Sequence, residues 1–146
     1  MKDLIKDFPI TTKIKVEWRD MDAAGHVHNV KYLGYVESGR VAYFEALDFE
    51  VVPKIGVGFV VATIDCKYIF PVTYPDNVVL ANRAVDYGEH HITLETHLFS
   101  EKYNRIVAIS NQKLVFYDFE NTCKMKMPDG FLEKMEVLEN KKVSRI

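Results

Sequence analysis

The hydrophobic repeat of this chain changes from the two-residue period of a strand to the longer period of a helix near Asn29. Residues 13–19 alternate apolar with polar or charged side chains, which predicts a half-buried strand. From Asn29 to Asp48, apolar side chains recur three and four residues apart, which predicts one long amphipathic helix capped by Asn29. Gly34 and Gly39 each disfavour a helix by about 1 kcal/mol relative to alanine, so they predict close packing on a flat partner such as a sheet. The predicted inner face comprises Leu33, Val36, Arg40, Tyr43, Phe44 and Leu47.

The remainder of the chain has the pattern of an antiparallel meander. Turn sequences separate β-rich segments at residues 56–70, 78–87, 91–100 and 106–119. A short helix is expected over residues 127–138, with Pro128 near its first turn. The order predicts one α+β domain spanning residues 1–146, with a five-stranded antiparallel sheet and one long helix. Because one helix covers only one face of a sheet, a homodimer or homotetramer is expected.

Composition and charge exclude several classes of protein. The formal net charge of -2 argues against nucleic acid as a partner. No apolar run approaches the ~18 residues of a membrane span, and the start lacks the apolar core of a signal peptide. The expectation is therefore a cytoplasmic protein with no membrane partner. Cys66 and Cys123 have neither metal-site nor redox-motif spacing, so they are interpreted as reduced thiols.

The stretch DMDAAGHVHNVKY, residues 20–32, concentrates ionisable and amide side chains at the start of the predicted helix. Asp20 and Asp22 precede Gly25, His26, His28 and Asn29. A carboxylate can act as a nucleophile or as a base that activates water. The first N–H groups of a helix point outward and carry partial positive charge, so they suit a developing oxyanion.

The motif D-x-D-x-x-G-H-V-x-N-x-x-Y, between a strand and a long helix carrying E-x-x-R, resembles that of the hot-dog-fold acyl thioesterases. The chain is most similar to the 4-hydroxybenzoyl-CoA thioesterase family, and residues 26–40 also resemble the plant acyl-ACP thioesterases. The likeness continues through residues 60–76 and 113–131. It implies a hot-dog fold, in which the sheet wraps around the long helix, and hydrolysis of an acyl or aryl thioester of CoA or acyl carrier protein.

The resemblance also implies roles for individual residues. Asp22 corresponds to the catalytic carboxylate, and His26 would orient it, its water or the substrate carbonyl. The oxyanion donor falls on the backbone N–H groups of His28 and Asn29. The expected substrate contacts are Gly25, Val27 and Tyr32. No cofactor or metal is implied, and the substrate would lie at a dimer interface.

Some family features are missing. The plant enzymes carry an asparagine where this chain has Ala24, and a glutamate near the position of Phe70 and Pro71. The turn at residues 86–91 lacks the basic cluster with which some relatives bind CoA phosphates. A simpler mechanism centred on Asp22 is therefore expected. Candidate phosphate contacts, with ordinary surface charge as the alternative, are Arg83, Lys102 and Arg105.

Other interpretations of these residues remain open from sequence. The domain would be a non-catalytic acyl-binding or interaction module if Asp22 performs no chemistry, and a hot-dog dehydratase is a further option. A zinc site would use His26 and His28 with a nearby aspartate, although no H-E-x-x-H is present. Structural roles are expected for Asp20 as a loop anchor, for Glu37 and Arg40 as an ion pair, and for His90, His91 and His97 on a strand surface.

Overall fold

A computed structural model of the chain describes residues 2–49 and 56–146. The helices are α1 (Lys2–Ile5), α2 (Asn29–Ala46) and α3 (Phe131–Glu139). The strands are β1 (Ile10–Lys15), β2 (Val57–Ile64), β3 (Lys67–Tyr68), β4 (Asn77–Tyr87), β5 (His91–Ser100), β6 (Arg105–Asp118), β7 (Cys123–Lys124) and β8 (Ser144–Arg145). A 3-10 turn, Trp18–Asp20, lies between β1 and α2.

The main strands form one antiparallel sheet in the order β1-β4-β5-β6-β2. The short strands β3 and β7 pair with β6, and β8 adds to β4 in parallel. Helix α2 packs against β1, β4 and β5, so the curled sheet wraps around it. This arrangement is the hot-dog fold, and it confirms the predicted α+β class with five principal strands and one long helix.

The side chains of α2 explain how it packs on the sheet. Its buried residues are Tyr32, Tyr35, Val36, Gly39, Tyr43 and Phe44. The predicted inner face is therefore right in its second half, whereas Leu33 and Arg40 are only partly buried. A Cβ on Gly39 would lie 2.7 Å from Asn82 Oδ1, so the close approach to the sheet is confirmed at this position. The same expectation is wrong for Gly34, which is exposed and would meet nothing within 4 Å.

A polar seam divides the core beneath the helix into two apolar clusters. Thr96 Oγ1 donates to Asn82 Oδ1 at 2.8 Å, and Gln112 Nε2 donates to Thr96 Oγ1 at 3.0 Å. These three side chains are fully buried on adjacent strands, and Arg40 extends the seam by donating to Gln112 Oε1 at 3.3 Å. One cluster surrounds the start of α2 and the other surrounds its end. Hydrogen bonding within the seam offsets the cost of burying these polar groups.

Several predicted boundaries are wrong for local reasons. The first strand ends at Lys15, and the chain then turns, which leaves Trp18 70% exposed instead of on a buried face. The segment 56–70 is divided into β2 and β3 by an irregularity at residues 65–66, where Asp65 N still donates to the Asn111 carbonyl at 3.0 Å. Helix α3 begins only at Phe131, so Pro128 precedes its first turn.

Candidate active site

The loop before α2 is a tight hairpin closed around Asp22. Asp22 N donates to the His26 carbonyl at 2.9 Å, and Gly25 N donates to the Asp22 carbonyl at 3.0 Å. Met21 and Val27 pair across its base. Gly25 has a φ of +81°, in the left-handed region where glycine carries no Cβ penalty. The sequence Asp-Ala-Ala-Gly therefore suits a turn followed by a left-handed residue, which brings the chain back toward the helix.

Asp20 anchors this loop from below. Its Oδ2 accepts from Tyr35 OH at 2.7 Å and from Glu17 N at 2.9 Å. The Asp20 side chain is buried. Burial of the Tyr35 ring, and secondly the hydrogen bond and charge of Asp20, hold the pKa of the Tyr35 phenol well above its usual range. The structural role expected for Asp20 is confirmed.

The carboxylate of Asp22 is exposed and only partly engaged. Its Oδ1 accepts from Ala24 N at 2.9 Å, a contact that stabilises the turn. Among the described residues, Oδ2 accepts no hydrogen bond, so this oxygen is available to water or substrate. His26 lies opposite Asp22 in the hairpin and is also exposed. One oxygen thus holds the loop while the other remains available for chemistry.

The start of α2 offers one free donor rather than two. His28 is the N-cap, since its Nδ1 accepts from Val30 N at 3.2 Å, and the predicted cap at Asn29 is therefore wrong. The backbone N–H of His28 donates to the Asp20 carbonyl at 2.9 Å, so it is already committed. Within residues 2–49 and 56–146, Asn29 N–H donates to no protein acceptor. Of the two predicted oxyanion donors, only Asn29 remains available.

A cleft of about 300 Å³ opens beside this helix terminus. It is lined by Val27, Asn29, Tyr32, Tyr68, Ile69, Phe70 and Pro71. The Tyr32 and Tyr68 rings meet edge-to-face with their centroids 5.0 Å apart. Tyr68 OH donates to the Asn29 carbonyl at 2.9 Å, and Tyr32 OH accepts from Val72 N at 3.2 Å. The cleft has the size and apolar walls of a small-molecule site, with a few polar groups at one end.

The predicted site residues divide into two groups. Val27, Asn29 and Tyr32 line the cleft, whereas Gly25 belongs to the hairpin and has open space around it. From sequence, Tyr68 is only one of several aromatic residues compatible with an aryl or medium aliphatic acyl group, and Phe70 is only a position without the glutamate of the plant enzymes. A signal was present in the sequence, because two aromatic residues follow Cys66 within four positions. Only the pairing of β3 with β6 brings them to the helix start.

Other predicted roles change in the structure. Arg40 donates to Gln112, and no ion pair joins it to Glu37 among the described residues. Arg83 is engaged by Glu95 at 2.6 Å and lies over the Phe8 ring, so it is not a free cation. The side chains of His90, His91 and His97 are largely covered, with 31%, 14% and 16% exposure, so the expected surface position is wrong for the last two.

The possible metal ligands and thiols do not form a reactive cluster. Across the described part of the chain, no group of three or more His, Cys, Asp or Glu side chains has the geometry to hold a metal ion. His28 Nδ1 accepts the capping hydrogen bond from Val30 N, so this nitrogen is not available as a zinc ligand. Burial raises the pKa of the Cys66 thiol, so this group stays protonated near neutral pH.

Solved structures with the same fold cover nearly the whole chain. A thioesterase from Thermus thermophilus, crystallised with coenzyme A and zinc, is 27% identical with a TM-score of 0.81, and the match covers 93% of this chain and 98% of that one. A Pseudomonas aeruginosa protein is 32% identical with a TM-score of 0.77, over 84% of this chain and 94% of that one. The DHNA-CoA thioesterase of Staphylococcus aureus is 20% identical with a TM-score of 0.80, over 93% and 97%, and shows the shared fold.

The fold and the family match define a hot-dog thioester hydrolase. The sequence profile of the thioesterase-like superfamily matches residues 16–135, and the chain belongs to that superfamily. No curated protein sequence matches the chain. In the described residues, no helix has the length and apolar character needed to cross a membrane.

Proposed function

We propose that this protein hydrolyses acyl-CoA thioesters with Asp22 as the reacting carboxylate and Asn29 N–H as an oxyanion donor. One observation carries the proposal: among the described residues, Asp22 Oδ2 and Asn29 N–H have no hydrogen-bond partner, and the hairpin that carries Asp22 leads through Val27 to Asn29, both of which line the apolar cleft. Membership of the thioesterase-like superfamily supports thioester hydrolysis as the reaction.

The chemistry follows from what each group can do. The free Oδ2 of Asp22 either removes a proton from water as the water attacks the carbonyl carbon, or attacks that carbon itself to form an anhydride that water then cleaves. In both routes the carbonyl oxygen gains negative charge. Asn29 N–H stabilises that charge at the positive end of α2. The thiol of the carrier leaves, and the acyl group is released as a carboxylic acid.

The cleft supports an aryl or medium-length acyl group as the substrate. The walls contributed by Tyr32, Tyr68 and Phe70 are aromatic, and flat rings pack well in edge-to-face and offset contacts. The tether from Tyr68 OH to the Asn29 carbonyl links one wall to the same helical turn that carries the oxyanion donor. A change in the substrate's acyl group would therefore alter the position of the reacting carbonyl relative to the oxyanion donor.

The decisive experiment is thiol release from a panel of aliphatic and aryl acyl-CoA thioesters by the wild type and by Asp22→Asn. Asparagine keeps the oxygen that accepts from Ala24 N, so the turn and the melting temperature should be preserved. Without the carboxylate, we expect kcat to fall by a factor of about 10² or more, the range found when general acid–base groups are removed.

Three results would each contradict a part of the assignment. Undiminished turnover in Asp22→Asn would show that another group carries the reaction. Turnover of acyl carrier protein esters but of no CoA ester would contradict CoA as the carrier and leave the proposed role of Asp22 in place. Absence of turnover on both, with acyl-CoA binding retained, would favour the non-catalytic acyl-binding module.

A further inference from the structure

We propose that Lys102 and Arg105, which flank an aromatic rim beside the cleft, bind the phosphates of the CoA carrier. This inference rests on the proposed function, because it assigns the carrier half of the substrate to a second part of the same surface. The aromatic rim consists of Phe70 and Tyr103, whose ring centroids lie 5.0 Å apart.

The two cations lie next to the cleft wall. The Arg105 guanidinium carbon is 4.3 Å from the centroid of Phe70, which lines the cleft. Lys102 Nζ is 5.3 Å from the Tyr103 ring centroid and donates to Thr73 Oγ1 at 3.1 Å. A surface therefore runs from the cleft, across the aromatic rim, to two positive charges.

Both cations retain hydrogen-bonding capacity. Among the described residues, neither Lys102 nor Arg105 forms an ion pair, whereas the adjacent Glu101 is already paired with Lys13 at 3.1 Å. A guanidinium stacked on a ring keeps its edge N–H donors free, and these match phosphate oxygens in geometry. The contacts of Lys102 and Arg105 orient the cations without neutralising them.

The turn that carries Lys102 is held in place from below. Buried Asp76 accepts from Lys102 N at 2.9 Å through Oδ1 and from the Ser100 hydroxyl through Oδ2. Ser100 Oγ in turn accepts from Tyr103 N at 3.1 Å. The Asp76 charge partly offsets that of Lys102, but its oxygens are occupied by these donors. A turn fixed in this way positions the cations before a ligand arrives, which lowers the entropic cost of binding.

The chemistry of the surface favours a nucleotide carrier over an acidic carrier protein. Specific protein interfaces bury roughly 800 Å² on each partner, and docking an acidic protein calls for positive charge spread over that scale. Here the formal net charge is -2, and the cations in contact with the rim rings among the described residues are Lys102 and Arg105, with Lys15 near Lys102 on the far side. Two cations match the phosphates of one CoA molecule, with the pantetheine arm crossing the aromatic rim into the cleft.

The test is calorimetric binding of free CoA and of pantetheine, which lacks the nucleotide phosphates, to the protein. In the wild type we expect CoA to bind at least about tenfold more tightly, equivalent to 1.4 kcal/mol. The variant Lys102→Gln with Arg105→Gln should remove most of this difference and leave pantetheine binding unchanged. Added salt should also weaken CoA binding, because exposed charges are screened over about 10 Å at 0.1 M and about 3 Å at 1 M.

A matched control removes the same total charge elsewhere. Lys124 and Lys134 are exposed and form no ion pair among the described residues, so Lys124→Gln with Lys134→Gln should retain the preference for CoA. Equal binding of CoA and pantetheine by the wild type, an unchanged preference in the rim variant, or loss of the preference in the control would each overturn the proposal.

The same design separates this proposal from the enzymatic one. Phosphate-dependent CoA binding without turnover of any thioester would support the rim and contradict the proposed hydrolase. N-acetylcysteamine thioesters contain no phosphate. Their turnover, with no preference for CoA over pantetheine, would contradict phosphate binding at the rim and support the proposed hydrolase. Turnover restricted to acyl carrier protein esters, without CoA binding, would also overturn the rim assignment.

Discussion

At the scale of single residues, the two aspartates before α2 have different environments. Asp20 is buried and accepts two hydrogen bonds through Oδ2, whereas Asp22 is exposed and accepts one, through Oδ1, among the described residues. The two aspartates lie two residues apart in the chain, yet one is enclosed by the fold and the other faces solvent. His28 likewise becomes a cap through its side chain while its N–H is occupied by Asp20.

Two partly covered histidines predict how stability depends on pH. Burial lowers the pKa of His91, with smaller effects from Lys113 and His90 in the same direction and from Asp86 in the opposite one. Burial also lowers the pKa of His97, although Glu95 at 2.9 Å opposes it. The folded protein therefore binds fewer protons than the unfolded chain. Their contribution to stability is complete above the unfolded pKa of about 6.5 and is lost as the pH falls below it.

We therefore expect the free energy of unfolding to decrease between about pH 7 and pH 5, where most carboxylates remain ionised. Urea unfolding across this range measures the slope. The variant His91→Gln with His97→Gln should flatten it, and a slope equal to that of the wild type would show that other groups control the dependence. Circular dichroism at pH 7 verifies that the variant is folded.

At the scale of the element, α2 shows why identical residues on one helix have different roles. Gly39 faces the sheet, and its neighbour Asn82 cannot move aside easily because it accepts from Thr96 and donates to the Leu80 carbonyl at 3.2 Å. Gly34 faces open space. Helical spacing alone predicted close packing for both, because the exact rotation of a helix on its sheet depends on tertiary contacts.

Two alanine substitutions test this difference within one helix. Gly34→Ala should raise the free energy of unfolding by about 0.5–1 kcal/mol, since alanine loses less backbone entropy than glycine. Gly39→Ala should lower it by about 1–3 kcal/mol, the usual range for overpacking a dense interior. Urea denaturation measures both, and each serves as the control for the other. Equal effects would contradict the packing described for Gly39.

At the scale of the whole molecule, the sheet ends in an open edge. Strand β2 pairs with β6 on one side, and no strand pairs with its other side in the described part of the chain. Val57, Val61 and Ile64 on this strand are 39%, 39% and 37% exposed. An open edge with apolar side chains is a template for pairing with another strand. We expect a second copy of the chain to cover it.

Light scattering coupled to size-exclusion chromatography should therefore give the mass of at least two chains. Val61→Lys should shift the protein toward the monomer, because a charge would be buried at the new interface. Val137→Lys on α3, where the native side chain is 80% exposed, is the matched control and should leave the mass unchanged. A monomeric wild type, or equal behaviour of the two variants, would contradict an interface at β2.

Much of the fold was predictable because its signals are local. The hydrophobic period identified α2 almost to the residue, and turn sequences separated β4, β5 and β6. Boundaries were less predictable where the chain leaves a regular pattern for tertiary reasons, as at Trp18 and after Ile64. Helix α1 was missed because its four residues carry too short a pattern to recognise.

The sequence by itself determined the kind of fold and the composition of the hairpin before α2, since period, turn chemistry and motif depend on neighbours in the chain. Only the tertiary structure decided which groups of that hairpin are free, because Asp20 and His28 are committed by contacts across the loop and to Tyr35. It also decided that Tyr68 and Phe70 line the cleft and that Arg105 stacks on the Phe70 ring. Those contacts join residues distant in the chain, and strand pairing, which no local pattern specifies, brings them together.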